Sequence, residues 1–435
     1  MKTFILVLSA LFALSSTAIA YNPVNERPVV SGRVLQYHDW VFYGDDIPTV
    51  KVMLYNHSNE RRNVVVQLNV TCDDYSKVIA CDSQAKDIAA NDSVEADFTL
   101  SLTPGFYRCT VKKETLVNND FEKDDTDEIV KKFNIGYEPE KIVAVPYGQP
   151  DLKQFWDKNK KMLAKVKPCY SLKLLKDSSN ADRKVYMVSM KSFGGATIKG
   201  YYLTPTKVGK YPADITYMGY GSKPWCPKAS DNPNLVEFIL SVRGQALNEP
   251  TNKYGDWAVY GLADKDTYYY RGAFMDLVRA IDFICSRKEV DKRNIFAEGG
   301  SQGGAFTFAA CALDHRIRAA APWIPFLSDY PDYFKIVHWP GDNILARAKE
   351  LGISDEQLYK TLSYFDIMNI AGWIKCPILM GSGLQDPTCP PHINFAAFNQ
   401  VKEEKVYRIH ATCGHNVPQT WWNFRMDFFK KYIVK

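Results

Sequence analysis

Over roughly the first third of the chain, apolar and polar residues alternate with a period of two. Val50-Lys51-Val52-Met53-Leu54 runs into the turn-forming Asn56-His57-Ser58-Asn59, and Val64-Val65-Val66-Gln67-Leu68-Asn69-Val70 follows. Asp97-Phe98-Thr99-Leu100-Ser101-Leu102 then leads through Thr103-Pro104-Gly105 into Phe106-Tyr107-Arg108-Cys109-Thr110-Val111. Such alternation places every second side chain on one face of a strand, and Asn, Asp, Gly and Pro supply the turns. Short strands split by turns every 8–12 residues or so predict an antiparallel, immunoglobulin-like β-sandwich over residues 21–137. Within it, the charged stretch from Glu122 to Lys132 reads as a solvated hairpin or loop.

Beyond Glu138 the period changes. Strand candidates are Ala213 to Met218, Phe238 to Val242, Asn294 to Ala297, Ala319 to Ala321, Pro377 to Met380 and Val406 to Ile409. Between the second and third, Phe274, Leu277, Val278, Ile281 and Ile284 recur at helical spacing. Strands alternating with helices predict an α/β domain over residues 138–435, its parallel sheet covered on both faces. Pro139, at the change of texture, favours an extended connection. Two modules of this kind imply that deleting residues 21–137 leaves turnover of a small ester largely unchanged.

Composition narrows the class. A chain of 435 residues suits two domains, and 46% hydrophobic with 13% aromatic residues excludes a disordered protein. The net charge of +5 comes from scattered lysines without a basic stripe, which argues against nucleic-acid binding. Lys2, the apolar run Phe4 to Leu14 and Ala18-Ile19-Ala20 read as a signal peptide cleaved near Ala20, predicting a secreted or periplasmic chain that starts near Tyr21. No later stretch reaches ~18 uninterrupted apolar residues, so no stable membrane insertion is expected. Ten cysteines permit disulfides after export. Cys72 and Cys81 could close a small loop, and connectivity stays open. There is no C-x-x-C pair and no Cys/His cluster at zinc spacing, so neither metal nor organic cofactor is implied. Asn56, Asn69 and Asn91 head sequons that matter only in a eukaryotic host.

The most informative residues are Gly299-Gly300-Ser301-Gln302-Gly303-Gly304, between the strand candidate Asn294 to Ala297 and an apolar helix from Ala305 to Leu313. Strand, sharp turn and helix is the context in which G-x-S-x-G presents a nucleophilic serine. The glycines let backbone pass close to the turn. The helix start adds partial positive charge and a free N–H for an oxyanion. A base and an acid are then expected downstream, in the order Asp then His. Asp386 stands where the strand Pro377 to Met380 runs out through Gly381-Ser382-Gly383-Leu384-Gln385. His415 follows the last strand, in Cys413-Gly414-His415-Asn416. His410 lies within that strand and reads as a core or edge residue. Tyr217-Met218-Gly219-Tyr220-Gly221 follows an early strand and brings the Tyr220 amide forward as the second oxyanion donor, beside that of Gln302.

Taken together, Gly299 to Gly304, Arg243-Gly244-Gln245 and Gly414-His415 resemble carbohydrate esterase family 7, the acetyl xylan esterases and cephalosporin C deacetylases. Tyr268-Tyr269-Tyr270-Arg271-Gly272, Pro325-Phe326-Leu327, Tyr364-Phe365-Asp366 and the run from Asp386 through Cys389-Pro390-Pro391 to Phe395-Ala396-Ala397 extend the resemblance over about residues 150–435. It implies an α/β-hydrolase with Ser301, Asp386 and His415 as triad and the Tyr220 and Gln302 amides as oxyanion hole. Arg243 and Gln245 would be structural, holding the sheet near the elbow. The implied partner is acetylated xylan or its oligosaccharides. The chain departs from the family pattern at Ala246, where Gly is usual, and at Asn416, where Glu is usual. The segment from Gln245 to Tyr268, which in the family carries a hairpin used in oligomer contacts, is short here, so a homo-oligomer stays open. The sandwich is an addition to which the motifs assign no role. Two other readings are compatible with the residues: a serine peptidase of the same superfamily, and a carbohydrate-binding protein with an inactive hydrolase domain.

Overall fold

Strict alternation becomes strand in the computed structural model, which describes residues 28–116 and 128–435. The leader-like residues 1–20 lie outside them. The N-terminal strands are β1 (Val30–Val34), β2 (Val41–Phe42), β3 (Thr49–Asn56), β4 (Arg62–Cys72), β5 (Val78–Ile88), β6 (Ser93–Thr99), β7 (Gly105–Leu116) and β8 (Glu128–Tyr137). They form a three-stranded sheet, β1-β3-β6, and a five-stranded sheet, β2-β8-β7-β4-β5. Val50, Val52 and Leu54 of β3 and Val64, Val66 and Leu68 of β4 are buried in one core. Tyr107 fastens a corner of the sandwich, its hydroxyl donating to Thr103 O at 2.7 Å. Of the charged stretch read as a solvated hairpin or loop, the part from Glu128 onward is strand, β8 pairing antiparallel with β7. Residues 122–127 lie outside the described set.

The second unit is a nine-stranded sheet. In chain order it contains α1 (Leu152–Ala164), β9 (Ser171–Leu174), β10 (Arg183–Lys191), β11 (Thr197–Pro205), β12 (Tyr211–Tyr217), β13 (Val236–Ser241), α2 (Tyr269–Cys285), β14 (Val290–Gly300) and α3 (Gln302–Leu313). Then come β15 (Ala319–Trp323), α4 (Tyr330–Ile336), α5 (Gly341–Glu350), α6 (Asp355–Leu362), α7 (Ile367–Ala371), β16 (Ile378–Gly383), α8 (Pro391–Phe398), β17 (Lys405–His410) and α9 (Trp421–Lys431). The strand order is β17-β16-β15-β14-β12-β13-β11-β10-β9. The six strands expected from sequence are mutually parallel.

The sheet as a whole is nevertheless mixed, which corrects the all-parallel expectation. β9, β10 and β11 run as antiparallel neighbours, and β11 is antiparallel to β13. The link from β10 to β11 is a tight turn through Gly194 and Gly195, with no room for a crossover helix. The parallel strands are buried on both faces. Ile295 and Ala297 of β14 join the core under α2 and α3, while Phe296 faces α9 and stacks on Phe429 with ring centroids 4.7 Å apart. α3 is buried at every position, and each fully buried Phe or Leu in such a helix contributes ~1.5–3 kcal/mol. Among the described residues no helix is long and apolar enough to cross a membrane.

All ten cysteines are free. The Cys72–Cys81 bridge weighed from sequence is ruled out by register: Cys81 lies opposite Asn69, three places along β4 from Cys72. At ~3.4 Å per residue that offset exceeds disulfide reach. Asn56 is buried, its amide nitrogen donating to Glu60 O, Ile88 O and Ala89 O, so this sequon is closed to glycan.

The two units are joined more closely than independent modules would be. One apolar cluster runs through both units, and Phe106 of β7 meets Phe395 of α8 at 5.7 Å between centroids. Beside this contact His392 of α8 is held between units, Nδ1 lying 2.8 Å from Asp73 after β4 and Nε2 3.4 Å from Asp332 of α4, with Asp329 at 3.9 Å. Burial by itself lowers the pKa of this imidazole, but its hydrogen bonds to Asp332 and Asp73 raise it to about 10. The raised value means that stability from this ion pair is complete below the unfolded histidine value of ~6.5. It is lost as pH climbs toward the folded value of about 10. The gap in unfolding free energy between wild type and His392→Gln, read from urea titrations, is therefore expected to shrink steadily over that window. A gap independent of pH would show that the ring is not charged in the folded protein.

Candidate active site

The elbow is built where β14 ends against β12. Ser301 has φ 59° and ψ −122°, a region where a side chain costs ~1–3 kcal/mol and persists only if its surroundings enforce it. Here they do. A Cβ added to Gly303 would lie 2.0 Å from Tyr217 O, and one on Gly299 would lie 2.4 Å from Gly303 O. Side chains at those positions would force the turn off the sheet. The turn throws the Ser301 hydroxyl out beyond the strand end, and α3 begins at the next residue.

Three loops at the carboxyl ends of parallel strands supply the partners. Asp386 leaves the end of β16 with its side chain fully buried, and Oδ1 accepts from Thr388 N–H at 2.8 Å and Cys389 N–H at 2.9 Å. His415 lies in the loop after β17, with Nδ1 2.9 Å from Asp386 Oδ2 and Nε2 3.0 Å from Ser301 Oγ. A carboxylate only accepts, so Nδ1 donates to Asp386, which leaves Nε2 placed to accept from the serine hydroxyl. This arrangement can take the serine proton as the oxygen attacks a carbonyl. His410 is elsewhere, edge-on to Trp421 with ring centroids 6.2 Å apart.

Gly219 presses the loop after β12 onto the elbow: an added Cβ would stand 3.5 Å from Gly300 O and 4.0 Å from Ser301 Cβ. Tyr220 thus borders Ser301, and its hydroxyl donates to Asp256. Gln302 and Gln245 exchange side-chain hydrogen bonds at 3.1 and 3.2 Å, and Tyr270 OH donates to Gln302 Oε1 at 3.0 Å. Gln245 Oε1 also accepts from Gly221 N–H at 3.3 Å. Gln245 therefore ties together the two backbone segments that carry the Tyr220 and Gln302 amides. The neighbouring Arg243 is clamped to Asp276 of α2.

Two cavities of unequal size meet at Ser301, His415 and Tyr220. One, about 190 Å³, is walled by Phe326, Trp339, Pro340 and Cys389. The other, about 750 Å³, is lined by Trp225, Trp323, Trp422, Lys228 and Asp231. In its wall Arg425 reaches Glu298 at 2.5 Å and, behind it, Asp214 at 3.6 Å, and burial, with the Glu298 charge adding, pushes the Asp214 carboxyl well above the usual range. Sequence reasoning passed over these lining residues. The signal that finds Trp323 is its place at the carboxyl end of a parallel strand, where α/β sheets bind ligands. Among the described residues, the side chains that could hold a metal ion, Asp329, Asp332 and His392, form a separate group whose ligand atoms lie within 4.8 Å of one another.

Comparison with known proteins identifies relatives of this fold. Residues 140–432 match the family model described as acetyl xylan esterase (AXE1). Acetyl esterase Axe7A from Xylanibacter ruminicola is 27% identical over 310 residues, covering 66% of this chain and 70% of its own. An acetyl xylan esterase from Paenibacillus sp. R4 superposes with a TM-score of 0.63 at 30% identity, over 68% of this chain and 98% of the other. Acetyl xylan esterase 1 from Thermoanaerobacterium sp. JW/SL YS485 gives the same TM-score and coverage at 25% identity. With this fold and this match over well more than half its length, the chain is a carboxylic ester hydrolase of the α/β-hydrolase superfamily and belongs to the acetyl xylan esterase (AXE1) family.

Proposed function

We propose that the protein is an exported serine esterase that removes acetyl groups from acetylated xylan and xylo-oligosaccharides through an acyl-enzyme. The observation that carries this reading is the Ser301–His415–Asp386 line opening on a small apolar recess and a larger polar, aromatic-sided cavity. The recess suits a short acyl group and the larger cavity a sugar. Ser301 Oγ attacks the ester carbonyl while His415 Nε2 takes its proton. Asp386 keeps the proton on Nδ1 and stabilises the imidazolium. The Tyr220 and Gln302 N–H groups receive the negative oxygen, each such donor being worth ~10²–10³ in rate. Collapse of the tetrahedral species breaks the ester bond as His415 passes its Nε2 proton to the departing sugar oxygen, which leaves as a hydroxyl. Water, deprotonated by the same imidazole, then releases acetate and restores Ser301. Export follows from the leader-like Met1 to Ala20.

The decisive assay measures acetate released from acetylated xylan, from acetylated xylo-oligosaccharides and from small acetylated sugars, alongside a feruloyl ester and an aminoacyl nitroanilide. Acetyl esters are expected to turn over without loss to chelators, and the feruloyl ester at least ~10-fold more slowly, since a crowded recess discriminates by acyl size. Faster cleavage of the nitroanilide than of p-nitrophenyl acetate would transfer the site to a peptidase.

A further inference from the structure

We propose that the N-terminal sandwich is a positioning element of the active site, holding the loops of Asp386 and His415 through Gln385. The inference rests on the triad reading above. Gln385 immediately precedes Asp386, and its side chain faces the sandwich. Its Oε1 accepts from the backbone N–H of Asn134 at 2.7 Å, and its Nε2 donates to Asn134 O at 3.2 Å. The same Nε2 donates to Ala411 O at 2.8 Å, and the backbone N–H of Gln385 donates to Cys413 O at 2.9 Å. Asn134 returns a third bond across the interface, its Nδ2 donating to Leu384 O at 2.9 Å. One residue of β8 thus grips positions 384 and 385 of the acid loop. Gln385 passes that grip to positions 411 and 413 of the loop that carries His415.

The fold explains why Asn134 is available. β8 pairs with β7 along its length, and Asn134 sits opposite Arg108. On its other side β8 meets β2, but β2 is only two residues long and pairs with Gly136 and Tyr137. Asn134 therefore presents an unpaired strand edge, an N–H and a C=O side by side. A primary amide matches that pair, donor to acceptor and acceptor to donor, as a neighbouring strand would. Replacing the amide by a hydrocarbon leaves both backbone groups and Ala411 O without their partner.

Further contacts surround the same place. His392, a few residues beyond Asp386, is paired with Asp73, and Arg108 Nη2 donates to Ile336 O at 3.3 Å, where α4 leads toward Trp339 of the small cavity. The sandwich touches the hydrolase unit around the acid loop, so displacement of this interface moves Asp386 against His415. Misplacement of a catalytic group by about 1 Å costs roughly 10²-fold in rate.

The test uses the full-length chain with p-nitrophenyl acetate, comparing wild type, Gln385→Leu, Asn134→Ala and Ser301→Ala, with Lys51→Ala as a control on the three-stranded sheet. Gln385→Leu is expected to lower kcat about 10- to 100-fold with KM changed less than about twofold. Asn134→Ala removes only the bond to Leu384 and is expected to lower kcat about three- to tenfold in the same manner, and Lys51→Ala leaves kcat at the wild-type level. Circular dichroism and the melting temperature establish folding. A folded Gln385→Leu with wild-type kcat, even at a lower melting temperature, would overturn the proposal and make the contact a docking bond. If Gln385→Leu does not fold, Asn134→Ala decides by the same split. A dead Ser301→Ala beside fully active Gln385→Leu and Asn134→Ala would sink the positioning role and leave the triad standing, whereas an active Ser301→Ala would overturn the triad and the positioning role with it.

Discussion

Ser301→Ala is expected to lower kcat for p-nitrophenyl acetate by about 10⁴- to 10⁶-fold, because in the proposed triad nucleophile, base and acid act as a unit. The fold should survive the change. Alanine keeps the Cβ, and the hydrogen bond lost with the hydroxyl is the one to His415 at 3.0 Å, whose ring is one-third exposed. The positive φ at position 301 is imposed by the packing of Gly299 and Gly303 against Tyr217, which the substitution leaves alone. His415→Ala should match Ser301→Ala to within about tenfold, whereas His410→Ala, which removes a ring packed on Trp421, should leave most activity. Loss of activity confined to His410→Ala would reassign the base. Matched kcat and circular dichroism measurements on the three variants decide it.

The largest effect on stability is expected from Asp276→Ala. Asp276 is fully buried on α2 and accepts from Arg243 Nε at 2.9 Å, Arg243 Nη2 at 2.6 Å, Arg243 N–H at 3.0 Å and Ser192 Oγ at 2.5 Å. A Cβ on Gly272 would lie 2.2 Å from Arg243 Nη1, so α2 carries a glycine where the guanidinium lies across it. Burial lowers the guanidinium's basicity, and the Asp276 charge beside it more than compensates. Removing the carboxylate strands a buried cation, at a cost of ~3–5 kcal/mol, against the ~5–15 kcal/mol that holds a typical domain folded. Urea titration should show a loss of unfolding free energy of that size. Arg243→Met combined with Asp276→Leu should recover much of it, since a matched apolar pair leaves no unpaired charge. A shift below ~1 kcal/mol in the single variant would mean that water reaches Arg243. Activity should fall along with stability, because Arg243 is two residues from Gln245, whose side chain joins the Tyr220 and Gln302 segments.

The parts of the site that could be read in the sequence are those whose elements are contiguous in the chain. The elbow is one: strand, glycine-flanked serine and helix follow one another within residues 290–313. Asp386 and His415 could be reached because a parallel sheet brings its carboxyl ends to one edge, so a loop after a late strand is near the elbow whatever its own sequence. Strands with a buried face were legible for a similar reason, as Val50, Val52 and Leu54 show. β9 is only four residues long and exposed throughout, so its Ser171-Leu172-Lys173-Leu174 alternation marks no buried face, and β5, largely exposed, carries no sustained two-residue apolar period.

Legible along the chain was therefore local chemistry and its order: a serine on a strained turn, an acid and a histidine after later strands, and two textures marking two units. The tertiary structure alone decided where distant polar groups met. Asn134 and Gln385 stand 251 positions apart, His392 and Asp73 stand 319 apart, and no period or motif couples them. Hydrophobic patterning specifies which face of an element is buried, because burial acts on every residue of that face. It does not specify which backbone edge a given amide will satisfy. That pairing exists only once two surfaces have docked in register, and here it brings a strand edge of the sandwich to the residue beside Asp386.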